Sequence, residues 1–103
     1  MLTLVTSDRF ADHLTPPGHP ERHERAEVMQ VVAGEWRATG GRVVEPRPAT
    51  DAELLRVHDA TYVDHVMATS GRAVAFDADT VTSPASAELA RLAAGAACQA
   101  VDL

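Results

Sequence analysis

Five histidines are the residues here whose type and spacing bear most directly on chemistry. His13, His19 and His23 fall within one stretch of eleven residues that also holds Glu21. Three imidazoles and a carboxylate so close together could hold a metal ion, provided they converge on one point. His19 and His23 are four apart, a spacing that shares a face only if both are helical. His19 lies where a helix begins, so the alternative is a loop whose His and Pro residues shape a pocket wall. Asp77 and Asp79 form a second candidate: two carboxylates on a loop can bind a cation or orient a substrate. The competing reading makes them turn formers on an exposed acidic loop. His58 and His65 read as structural histidines, and Cys98 reads as packing on a small-residue helix face. The spacing contains no nucleophile elbow, phosphate loop or multi-cysteine zinc pattern, so it does not by itself name a reaction.

Those residues must be positioned by local elements. Residues 2–6 (Leu-Thr-Leu-Val-Thr) read as a short strand. A turn-rich loop from Ser7 to Gly18 follows, and Pro20 suits the first position of a helix of about 18 residues. Val28, Met29, Val32 and Trp36 recur along it at helical spacing, and Gly40-Gly41 ends it. Val43-Val44 centre a second strand, stopped by Pro46 and Pro48. Thr50-Asp51-Ala52-Glu53 has capping-box form, with Leu54, Leu55 and Val57 as the buried side of a short helix. Another helix follows Asp59 and ends at Gly71; Arg72 to Thr82 is a loop. Ser83-Pro84 opens the last helix as N-cap and first position, and Leu89, Leu92, Ala93, Ala96, Ala97, Ala100 and Val101 form its apolar face.

Composition bounds the class. The 103 residues carry nine Arg, no Lys and fifteen Asp plus Glu, a net charge of −6. An acidic chain with no basic stripe is not expected to bind nucleic acid. No apolar run approaches the length of a membrane span, and the start lacks the pattern of a signal peptide, so the expectation is a cytoplasmic protein without membrane contact. Apolar residues make up 46% of the chain, but 19 residues are Ala. Leu, Val and Phe together supply only 22, and Ile is absent. A core built from so few bulky side chains stabilises a domain of this size thinly. Strands alternating with helices predict an α/β protein, with a sheet left incomplete. The last helix has no closing signal and its alanine face has little to cover it, so the chain reads as the N-terminal piece of a larger domain.

Four blocks then resemble one family. Gly18-His19-Pro20-Glu21-Arg22-His23-Glu24-Arg25 resembles the early loop of histone deacetylases. The likeness continues through Pro46–Leu55, through Val57–Val63, and at Asp79-Thr80, Ser83-Pro84 and Ala94–Ala97. The closest likeness is to the class II branch and the bacterial acetylpolyamine amidohydrolases. The resemblance implies the N-terminal part of an arginase-like α/β fold with a parallel sheet, belonging to a zinc-dependent hydrolase of N-acetyl amides. The implied substrate is acetylated lysine or a small acetylated amine. In such enzymes zinc activates a water and polarises the acetyl carbonyl, while a tandem His pair handles protons. The family's zinc ligands come from a D-x-H motif and a later Asp. Neither that motif nor a His-His pair occurs here, so no catalytic or metal-binding residue is expected in this chain.

By position, the resemblance makes His19 and Pro20 one wall of the acyl-lysine tunnel. It makes Asp79 and Thr80 the loop that hydrogen-bonds the substrate backbone. Arg25 matches the arginine of the internal cavity through which acetate leaves, where a guanidinium can hold a carboxylate bidentately. His58 and Tyr62 are read as supporting the fold. A reading of a different class remains open: a free-standing interaction module that reuses the first third of the fold and pairs through the small-residue face at 89–101.

Overall fold

The structure, a computed structural model, describes residues 2–103. Strand β1 (Thr3–Val5) pairs in parallel with β2 (Arg42–Val44), in the register Thr3 to Arg42, Leu4 to Val43 and Val5 to Val44. Between them the chain makes a 3-10 turn at Asp8–Asp12, a long loop, and helix α1 (His23–Ala38). A parallel pair needs a crossover of this kind, because a hairpin cannot return the chain in the same direction. Gly40 ends the crossover at φ +88°, a left-handed position that favours glycine. After β2 come α2 (Asp51–Leu55), α3 (Ala60–Met67) and α4 (Ser86–Asp102). No helix among the described residues is long and apolar enough to cross a membrane.

The arrangement is thin, with principal extents of 42 × 35 × 18 Å. Its buried apolar residues are mostly small: Ala33, Ala49, Ala87, Leu89 and Leu92. A strap of extended chain, Glu45–Ala49, runs along α4 and is stitched to it by side chains. The Gln99 amide donates to Glu45 O (3.1 Å) and accepts from Arg47 N–H (3.0 Å). Arg91 donates through Nε to Ala49 O (2.8 Å), while Ala49 N–H donates to Arg91 O (3.0 Å). The strap lies so close that a Cβ on Gly95 would run into the backbone of Arg47, Pro48 and Ala49.

Three local expectations need correction. Helix α1 begins at His23 with Arg22 as N-cap, not at Pro20. Residues 19–21 are instead held by side chains: Glu21 N–H donates to His19 Nδ1 (3.1 Å) and the Thr15 hydroxyl donates to Glu21 O. Helix α4 begins at Ser86, with Ala85 as N-cap. Ser83 does not cap it, because the Ser83 hydroxyl accepts from Leu14 N–H (2.9 Å), in the loop before α1. Finally, of the apolar residues expected on the buried side of α2 only Leu54 is half-buried, with Leu55 48% and Val57 78% exposed. A helix of five residues is barely more than one turn and buries no side chain fully against its neighbour α3.

The capping box at Thr50 and Glu53 is present as the sequence predicts, with both reciprocal hydrogen bonds formed. On α1, Val28, Met29, Val31 and Val32 are exposed and Ala33 is the buried residue. The periodicity foretold the helix, but a sheet of two strands is too narrow to cover its apolar residues.

Candidate functional site

Two loops meet at the candidate site. In the first, residues 13–22, Gly18 sits at φ +81° in a turn closed by His19 N–H donating to Pro16 O (3.1 Å). That turn presents the half-buried His19 side chain toward the second loop. There, Ala75 and Val81 form an isolated antiparallel bridge, and Phe76 N–H donates to Thr80 O (2.9 Å). Inside this small reversal, Asp77 Oδ1 accepts from both Asp79 N–H and Thr80 N–H, each at 2.8 Å. Those two amides hold the Asp77 carboxyl below the usual aspartate range. Asp77 is thus the turn former of its loop, as the second reading of the acidic pair had it.

At their tips the loops are joined across sixty residues of sequence: His19 Nε2–H donates to the Asp79 carbonyl at 2.7 Å. Because His19 Nδ1 accepts from Glu21 N–H, the proton is assigned to Nε2, and the imidazole uses both nitrogens on backbone. His19 and Asp79 are therefore brought together, with Pro20 and Thr80 next to them in the chain, and Pro20, Asp79 and Thr80 exposed. Arg25 is not part of this group. It lies exposed in the first turn of α1, with no side-chain hydrogen bond or ion pair among the described residues.

The other histidines go elsewhere. His13 stands between Ser86 and Glu21: its Nδ1 lies 2.6 Å from Ser86 Oγ and its Nε2 lies 3.4 Å from Glu21 Oε2. Ser86 Oγ also accepts from Ser83 N–H (2.7 Å), so this buried serine ties the first loop to the start of α4. His23 pairs with Glu24 and Glu27 on its own helix (3.3 and 3.4 Å). The three imidazoles thus face three different sets of partners. Among the described residues no three His, Cys, Asp or Glu side chains gather as a metal site. His65 leans on Phe76, ring centroids 5.3 Å apart, and His58 on Tyr62 at 5.0 Å. Glu53 beside Cys98 pushes its thiol above the ordinary value.

Sequence reasoning missed the link from His13 to Ser86 and Glu21. The only local sign of it is a pair of serines, Ser83 and Ser86, flanking the start of the last helix. Behind the two loops lies a cavity of about 390 Å³ whose lining includes His13, Glu21, Phe76, Thr80, Ser86 and Leu89. The site thus offers an apolar hollow edged by hydroxyl, imidazole and carboxylate groups.

Comparison with known proteins bears on the family and the fold. The family model described as the histone deacetylase domain matches residues 19–103. Among solved structures, the crystal structure of the HDA15 HD domain superposes with a TM-score of 0.76 at 30% identity, over 94% of this chain. The match spans 30% of that structure's chain. No curated protein matches by sequence. With the family match running from His19 through α4 and the fold shared with a solved member, the chain belongs to the histone deacetylase domain family.

Proposed function

We propose that this chain supplies one wall of the substrate tunnel in a zinc-dependent deacetylase acting on acetylated lysine or a small acetylated amine. The contact between His19 Nε2 and Asp79 O carries the reading, because it joins the two loops that the family likeness assigns to the tunnel. Within that wall, His19 and Pro20 flank the alkyl chain that carries the acetylated nitrogen. The exposed Asp79 carboxylate accepts from the substrate's backbone amide, and the Thr80 hydroxyl lies beside it. Arg25 faces the product acetate once the remainder of such a domain encloses α1.

Zinc would polarise the acetyl carbonyl and activate water in such an enzyme. The residues described here do not assemble a site for it, so their part is to bind and orient substrate and to exclude water. The test is Asp79→Ala in the intact deacetylase. Loss of one charge-assisted hydrogen bond predicts a rise in KM for an acetyl-lysine peptide of about tenfold or more, with kcat little changed. An unchanged KM contradicts the reading.

One observation favours the interaction-module reading as a second possibility: Val28 and Val31 on α1 and Val101 on α4 are 61%, 62% and 85% exposed. Thermal melting of the 103-residue chain followed by circular dichroism separates the two. A sharp reversible transition supports a self-sufficient module, and a weak non-cooperative signal supports a wall that needs the rest of a domain.

A further inference from the structure

We propose that His19 is a positioning residue for Asp79: its neutral imidazole, protonated on Nε2, fixes the backbone on which the Asp79 carboxylate is mounted. The proposal rests on the tunnel-wall reading for its consequence in catalysis, but its structural content stands apart from it.

Asp79 is held on both sides of its Cα. The peptide before it is fixed through Asp79 N–H, which donates to Asp77 Oδ1 at 2.8 Å. The peptide after it is gripped from both edges. Thr80 N–H donates to the same Asp77 oxygen at 2.8 Å, and Asp79 O accepts from His19 Nε2–H at 2.7 Å. Two peptide planes fixed in this way leave the Asp79 backbone little freedom, while its carboxylate stays exposed and has no protein partner among the described residues. One clamp is local, built by Asp77 within the loop. The other arrives from sixty residues earlier and ties the tip of the loop to the first loop.

His19 is itself fixed in tautomer. A backbone N–H can only donate and a backbone carbonyl can only accept, so Glu21 N–H at Nδ1 and Asp79 O at Nε2 leave one arrangement of the proton. Turn geometry at Gly18 and the hydroxyl of Thr15 on Glu21 O hold the imidazole's own loop. His19 thus acts on substrate through Asp79 as well as by flanking it, whereas a plain wall residue would touch substrate without affecting the second loop.

The test combines kinetics of the intact protein with two spectroscopic readouts. Imidazole nitrogen NMR is expected to show His19 as the Nε2–H tautomer. His19→Ala is expected to loosen the loop, so that the Asp77 carboxyl, followed by carbon NMR, titrates closer to an ordinary aspartate. His19→Gln is expected to restore the Asp77 titration, since its amide can accept from Glu21 N–H and donate to Asp79 O. In kinetics, His19→Ala raises KM about three- to tenfold for an acetyl-lysine peptide, and has a much smaller effect once Asp79 is already alanine, the remainder being its own contact with substrate. Additive effects of the two changes, an Nδ1–H tautomer or a mixture, or an Asp77 titration indifferent to His19 overturns the proposal. If the tautomer and the Asp77 response are as stated while Asp79→Ala leaves KM unchanged, the clamp stands and the tunnel reading fails.

Discussion

Arg47 and Glu53 meet as a two-pronged pair, Nη1 to Oε1 at 2.8 Å and Nη2 to Oε2 at 2.9 Å, and the same Oε1 accepts from Thr50 N–H at 2.9 Å. One carboxylate therefore closes the capping box of α2 and anchors the strap that runs along α4. The Arg47 guanidinium and the Thr50 amide hold the Glu53 carboxyl far below the ordinary glutamate value of 4.5.

Because the folded-state value is depressed, this stabilisation is fully present above the ordinary glutamate range and fades as pH falls below it. Asp77, depressed by the amides of Asp79 and Thr80, acts in the same direction from its own ordinary value of 3.8. Urea midpoints measured from pH 7 down to pH 3 should fall with pH, and the fall should be shallower in Glu53→Gln. A Glu53→Gln slope equal to that of the natural chain refutes the assignment.

Thr50→Ala removes the other half of the capping box while leaving Arg47 and Glu53 in place. A loss of about 0.5–2 kcal/mol is expected, read from the shift in urea midpoint.

Two glycines at helix interiors should respond oppositely to alanine. At Gly95 the new Cβ has the strap's backbone in its way, with Ala49 N and Pro48 C both at 2.5 Å. Gly95→Ala is expected to cost about 1–3 kcal/mol by forcing α4 and the strap apart. Gly34 in α1 has nothing within 4 Å of the same position. Gly34→Ala is expected to stabilise by about 0.5–1 kcal/mol through helix propensity and reduced freedom of the unfolded chain. Equal responses at the two sites contradict the packing described.

Ser86→Ala removes the buried hydroxyl that serves both Ser83 N–H and His13 Nδ1. The orphaned buried partners predict a loss of about 1–3 kcal/mol. They also predict broadened amide signals for residues 12–14, whose loop leans on the same serine pair.

The raised Cys98 thiol predicts slow alkylation by iodoacetamide near neutral pH, since the thiolate is the reacting form. Glu53→Gln removes the neighbouring charge and should speed the reaction. No acceleration means that Glu53 does not set the state of this thiol.

What was legible in the sequence is what local chemistry decides. Thr50 and Glu53 are three residues apart and form their box without help from the rest of the chain. Gly40 and Gly71 mark left-handed positions, at φ +88° and +79°, where glycine meets no steric cost. The α/β layout followed from alternation of strand and helix patterns, and the parallel pairing from the family likeness. The starts of α1 and α4 were misplaced because groups outside the helices decided them: His19 and Thr15, close by in the loop, took the backbone at Glu21, and the distant Leu14 took the hydroxyl of Ser83. The exposure of Leu55 and Val57 depends on what packs over α2, which helical spacing cannot state. His19 and Asp79 were singled out by family likeness, and their hydrogen bond needed three dimensions to be seen. The tie from His13 to Ser86 spans 73 positions, and the pair of serines at the start of α4 does not by itself name the histidine it meets.

The central claim is that the loops joined by His19 and Asp79 line the path of an acetylated lysine. The most direct measurement is photo-crosslinking of the intact protein with an acetyl-lysine peptide that carries a diazirine next to the modified residue, mapped by mass spectrometry. The account predicts adducts on His19-Pro20 and on Asp79-Thr80 that disappear when unlabelled acetyl-lysine peptide competes. Competable adducts confined to other segments, with these two loops unlabelled, contradict it.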